Sequence, residues 1–148
     1  MTTRLSEHFT LEELIFSQNA KRLGLDNTPS LEVIENLKRL CVTLEEVRAL
    51  LGSAIHISSG YRSSAVNRAA GSSSRSQHLL GCAVDFNIHG MTPDQVCKII
   101  MASDIEFDQL IKEWDSWVHL SVPSLATAIP RFSKLIIDDK SPLGRNFS

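Results

Sequence analysis

Apolar residues recur every three or four positions in the first part of the chain and alternate with polar ones further on. Thr10-Leu11-Glu12-Glu13 has the form of a capping box, with Leu11, Leu14 and Ile15 at helical spacing, which predicts a short helix ending near Ser17. Pro29-Ser30 opens a longer run in which Leu31, Ile34, Leu37, Leu40, Cys41, Leu44, Val47 and Leu51 share one face, the pattern of a single amphipathic helix. Ala54 to Ser58 alternates around Ile55 and Ile57 as a strand does, and Gly60 stops it before a Ser-rich loop, Gly71 to Ser76. Cys82 to Ile88 reads as a second strand. Thr92-Pro93-Asp94-Gln95 joins a cap, a proline at the first helical position and a capping Gln, and predicts a helix to about Ala102. Phe107 to Lys112 and Trp117 to Val122 read as two strands joined by a tight turn.

Helices come first and strands follow without strand-helix alternation, which assigns the α+β class. The 148 residues suit one domain, with a core over about 9–122 and an extension, 123–148, whose single apolar burst is Lys134-Leu135-Ile136-Ile137. Apolar residues make up 43% and charged residues 22%, ordinary globular usage. The net charge is -2 and the basic residues are dispersed, which argues against a nucleic-acid partner. The start of the chain lacks the apolar run of a signal peptide, and no stretch reaches the length of a membrane span. Cys41, Cys82 and Cys97 have no CxxC spacing and read as small buried hydrophobes.

A catalytic zinc site takes three protein ligands, usually His nitrogens and a carboxylate oxygen, and leaves a position open for water. His78 lies just before the strand that holds Asp85, and His119 lies within the last strand, so the three converge if those strands pair. Ser76 to Asp85 fits SxHxxGxAxD, and at roughly 5–7% usage per fixed position a chance match is on the order of one in a million per register. His56, between Ile55 and Ile57, reads as a strand-face residue, and His89 beside Gly90 as part of a turn.

With Ser59-Gly60-Tyr61-Arg62-Ser63, Asn67, Phe107-Asp108-Gln109-Leu110-Ile111 and Trp117-Val118-His119-Leu120-Ser121 in the same order, the chain resembles a family of zinc peptidases over roughly Phe9 to Val122. That family includes D-alanyl-D-alanine carboxypeptidases and phage endolysins and shares its metal-site scaffold with the hedgehog signalling domain. The resemblance implies a small antiparallel sheet with helices packed on one side, and one zinc ion per chain held by His78, Asp85 and His119. Gly81 and Ala83 are expected to leave room beside the metal. The resemblance also places Arg62 against the scissile group, where a guanidinium holds an oxyanion or a substrate carboxylate. Ser76 is a candidate substrate contact.

Many relatives carry a Glu three residues before the last His, or a His two before it; here those positions hold Ser116 and Trp117. The nearest carboxylates are Glu113 and Asp115, and the turn ranks them. A three-residue turn, Trp114-Asp115-Ser116, sets Glu113 opposite Trp117 on the face of His119, whereas a two-residue turn sends Glu113 to the other face and favours Asp115.

The resemblance implies hydrolysis of bacterial peptidoglycan stem peptides or cross-links. The enzyme is expected to be made in the cytoplasm and to reach the cell wall by phage-mediated release, or to be virion-associated, and to be monomeric outside a phage particle. The competing expectation is a zinc-stabilised, catalytically weak cell-wall-binding or phage structural module.

Overall fold

A computed structural model describes residues 2–147. It opens with two short helices, α1 (Leu11–Ile15) and α2 (Gln18–Leu23), and the long helix α3 (Leu31–Leu51). Strand β1 (Ile55–Ser59) leads to helix α4 (Ser64–Ala69), a 3-10 turn over Gln77–Leu80, and strand β2 (Ala83–Ile88). Helix α5 (Pro93–Met101) precedes the hairpin of β3 (Gln109–Glu113) and β4 (Trp117–Ser121), and the chain closes with β5 (Ser133–Asp138) and β6 (Ser141–Asn146).

The caps explain where the predicted helices begin. Thr10 and Thr92 close reciprocal capping boxes with Glu13 and Gln95, and the Ser30 hydroxyl accepts the Val33 N–H. Helices α2 and α4 were not legible in the periodicity, because each has only six residues, less than two turns. Their starts are marked instead by capping serines, Ser17 and Ser63.

The strands form one six-stranded sheet in the order β1-β2-β4-β3-β5-β6, antiparallel except where β5 lies parallel to β3. The extension expected to be weakly patterned therefore supplies two of the six strands. Edge strand β6 contains Pro142 and Gly144, a composition that hides a strand in the sequence but is tolerated where one side of the ladder is unpaired.

Alternation on the central strands gives the sheet two unlike faces. Val84, Phe86, Leu110, Val118 and Leu120 are fully buried in a core shared with Leu14 of α1, Leu37, Leu40 and Leu44 of α3 and Ile100 of α5. All three cysteines are unpaired and lie in this core, as expected of small hydrophobes. The intervening residues Asp85, Ile111, Glu113, Trp117 and His119 project from the opposite face.

Candidate metal centre

Register brings the sequence-predicted ligands together. Asp85 on β2 pairs directly with His119 on β4, so their side chains leave the sheet side by side. His78 reaches them from the 3-10 turn, whose N-cap Ser76 accepts the His78 backbone N–H at 3.2 Å. One donor atom from each of His78, Asp85 and His119 lies within 4.8 Å of the others, and all three residues are buried.

Neighbouring groups fix how these donors point. His78 Nδ1 lies 2.7 Å from the Gly60 carbonyl, to which it donates, leaving Nε2 with a free lone pair 3.4 Å from Asp85 Oδ2. Arg62 N–H donates in turn to the His78 carbonyl at 3.1 Å, so the segment after β1 grips His78 at both ends. Gly60 is required there: an added Cβ would stand 2.2 Å from the Leu14 carbonyl oxygen of α1. His119 Nδ1 lies 3.0 Å from Asp85 Oδ1.

Burial dominates the electrostatics. It disfavours the imidazolium of His78 and holds that ring below the ordinary histidine value, hence neutral and able to ligate. For Asp85 burial alone would raise the carboxyl, but its polar surroundings, first among them the hydrogen bond with His119, outweigh burial and hold the group well below the usual carboxylate range. Two imidazoles around one ionised carboxylate, with the His78 tautomer set by a backbone carbonyl, form a donor set that fits a zinc ion.

Arg62 lies beside the cluster. Its Nη2 is 3.3 Å from Asp85 Oδ2, Nε donates to Ser59 Oγ at 3.1 Å and Nη1 to Asn67 Oδ1 at 3.4 Å. A register shift between Ile57 and Ser59 puts Ser59 opposite Asp85, on the site face, where it can orient the guanidinium. Asn67, buried, also donates to the Ser73 carbonyl and so ties α4 to the Ser-rich loop. These supporting roles of Ser59 and Asn67 depend on a bulge and a short helix, neither of which leaves a periodic signal.

The turn after β3 has the geometry that favours Glu113. Glu113 pairs with Trp117, and Trp114 and Asp115 take left-handed φ values of 55° and 51° to close the turn. Glu113 Oε1 is thereby 4.0 Å from His119 Nδ1. Burial and the nearby Asp85 charge raise the Glu113 carboxyl above its ordinary value, which strengthens it as a proton acceptor. Asp115 is not brought to the site: it is three-quarters exposed and its Oδ1 lies 3.2 Å from Lys112 Nζ, on the other face of β3.

Arg62, Ser76, His78, Asp85, Glu113 and His119 line one polar cavity with Trp114 and Trp117. The indole N–H of Trp117 is buried beside Glu113 and meets no acceptor in good hydrogen-bond geometry among the described residues. The sequence places Trp117 on the face of His119, opposite Glu113, but gives no sign that its side chain lines the site. Gly81 differs from expectation. With φ +75° it caps the 3-10 turn, and a Cβ would meet Val33 of α3 at 2.9 Å, so it serves helix packing and not space beside a metal. Ala83, two residues before Asp85 on β2, is fully buried.

The sequence profile described as Peptidase M15 matches residues 7–121. The chain belongs to the peptidase M15 family. No curated protein matches it. Family membership supports a peptidase acting on a peptide substrate, and M15 peptidases are in general zinc-dependent, in keeping with the His78, Asp85 and His119 cluster. The M15 match ends at the last residue of β4, so it contains every predicted site residue and excludes β5 and β6.

Proposed function

We propose that the protein is a zinc-dependent peptidase that hydrolyses bacterial peptidoglycan peptides, with one zinc ion held by His78, Asp85 and His119. The observation that carries this reading is the convergence of those donors in a polar cavity that also contains Glu113 and Arg62. A zinc ion held by such a set acts as a Lewis acid that polarises a scissile carbonyl and acidifies water.

The chain's own residues supply the rest. Glu113, desolvated and close to His119, takes the proton from the attacking water and returns it to the departing amine. Arg62, anchored by Ser59 and Asn67, donates to the developing oxyanion or to a substrate carboxylate. Ser76 spends its acceptor on the His78 backbone N–H, and its hydroxyl proton remains for a substrate carbonyl. The peptidoglycan assignment is supported by the resemblance of SxHxxGxAxD and Ser59–Ser63 to D-alanyl-D-alanine carboxypeptidases and phage endolysins. A phage or prophage lysin, or a virion-borne enzyme, is the corresponding biological setting.

Substitution of the base separates this reading from a metal-bound binding module. Glu113→Gln is expected to retain about one zinc per chain while turnover of peptidoglycan falls by roughly 10²–10⁴. Asp115→Asn is expected to change turnover less than threefold. Equal turnover of wild type and Glu113→Gln would overturn the assignment of the base.

A further inference from the structure

A second cavity, of about 370 Å³, adjoins the metal centre and shares His119, Ser72 and Ser76 with it. It opens toward β3 and the extension and is lined by Arg75 and Arg131, by Gln109 and by the hydroxyls of the Ser-rich loop. None of its lining residues is acidic.

The two arginines contribute differently. Arg131 is held rigidly, with Nε and Nη2 donating to the buried Asp108 at 3.1 and 2.6 Å, while Nη1 has no acceptor among the described residues. Asp108 also accepts from Gln77 Nε2 at 3.0 Å, so Arg131 of the extension is tied through Asp108 to the turn that carries His78. Arg75 lies on the exposed loop, and its guanidinium has no side-chain partner among the described residues, so its charge is uncompensated. The cavity on the opposite side of Arg62, about 520 Å³, is otherwise neutral, lined by Phe16, Ser17, Gln18, Asn19 and His56. Of the two cavities, the one beside β3 thus carries the Arg75 charge with no carboxylate partner.

We propose that the Arg75 and Arg131 cavity is a subsite for a free carboxylate of the peptide substrate, so that the extension outside the family match helps set specificity. Arg131 offers its remaining Nη1 donor from a fixed position and Arg75 an unpaired positive charge, and both favour a carboxylate over its neutral amide, which carries no charge. The substrate class rests on the peptidase reading above. A peptidoglycan stem peptide offers two sources of the carboxylate, its C-terminal D-amino acid and its glutamate α-carboxyl.

The test uses zinc-loaded Glu113→Gln protein and calorimetric titration with L-Ala-γ-D-Glu-L-Lys-D-Ala-D-Ala and its two monoamides. Amidation of one of the two positions is expected to weaken binding at least tenfold, which identifies the carboxylate that is held. Adding Arg75→Gln is expected to weaken the free acid by a similar factor and to leave that monoamide within twofold. Arg131→Gln also removes the partner of Asp108 and is read by the acid-to-amide ratio, because a fold defect lowers both affinities alike. The subsite is overturned if both monoamides bind within twofold of the acid, if Arg75→Gln penalises acid and amide equally, or if none of the peptides binds. Cleavage of peptidoglycan by the wild type is read separately. Cleavage without carboxylate preference removes only the subsite, whereas carboxylate preference without cleavage removes only the hydrolase reading.

Discussion

On one face of the central strands Val84, Phe86, Leu110, Val118 and Leu120 are sealed beneath α1, α3 and α5; one residue along, Asp85, Ile111, Glu113, Trp117 and His119 look the other way. The same backbone ladder supports both sets, but their energetics differ. The apolar face gains from area removed from water and is non-directional, so it tolerates swaps that keep volume. The site face holds a buried carboxylate and two buried imidazoles, which cost free energy unless each is paired or bound to a cation. Stability and chemistry are thus assigned to alternate residues of the same strands, and each can be disturbed with little effect on the other.

The largest expected separation comes from the site face. His78→Ala or His119→Ala should reduce zinc from about one per chain to near zero and remove hydrolysis, measured by metal analysis and peptidoglycan digestion, while the metal-free proteins still fold in chemical denaturation, with a loss of about 1–3 kcal/mol for the buried partner left unpaired. On the core face Phe86→Ala should cost about 3–5 kcal/mol in denaturant unfolding, the usual range for emptying a buried aromatic site. The fraction that remains folded should still bind zinc. A Phe86→Ala protein that keeps wild-type stability, or a His78→Ala protein that fails to fold, would break the separation.

Gly60→Ala tests the place where the two faces are joined. The new methyl must displace the Leu14 carbonyl, found 2.2 Å from its position, and with it the Gly60 carbonyl that orients His78. A loss of roughly 10–100-fold in zinc affinity is expected, the usual effect of removing an outer-sphere hydrogen bond, and competition with a chelating dye measures it.

The smallest effect concerns Asp108 and pH. Burial pushes the Asp108 carboxyl up, but hydrogen bonds from Arg131 and Gln77 outweigh it and hold the group below the ordinary carboxylate value. A depressed folded-state value means that its contribution is complete above about pH 4, the unfolded value, and is lost as pH falls through the folded one. The difference in unfolding free energy between wild type and Asp108→Asn should therefore be on the order of 1 kcal/mol at pH 6, allowing for the half-exposed Arg131, and should shrink as pH drops below 4.

Legibility in the sequence followed the same division. Leu37, Leu40, Leu44, Ile55 and Phe86 announced their elements because burial against one core imposes a period, and Thr10, Ser30 and Thr92 marked the helix starts by capping chemistry. The site was legible where a short-range pattern coincided with strand parity, as for His78 and Asp85, whereas which of Glu113 and Asp115 shares the face of His119 depended on the length of the Trp114–Ser116 turn. The strands β5 and β6 were hidden because β5 is half-buried at every position and so shows no alternation, while β6 is mostly exposed and carries Pro142 and Gly144. Gly81 was misread because a fixed glycine beside a ligand in the sequence can serve the packing of a distant helix, here α3.

The most direct test of the central claim is digestion of purified peptidoglycan by the wild-type protein, with mass analysis of the fragments, before and after removal of metal by a chelator and after zinc is restored. The account predicts release of peptide fragments cut at one type of amide bond, loss of release on chelation and recovery with zinc. Fragment release that persists undiminished without metal, or no release by protein carrying one zinc per chain, would contradict it.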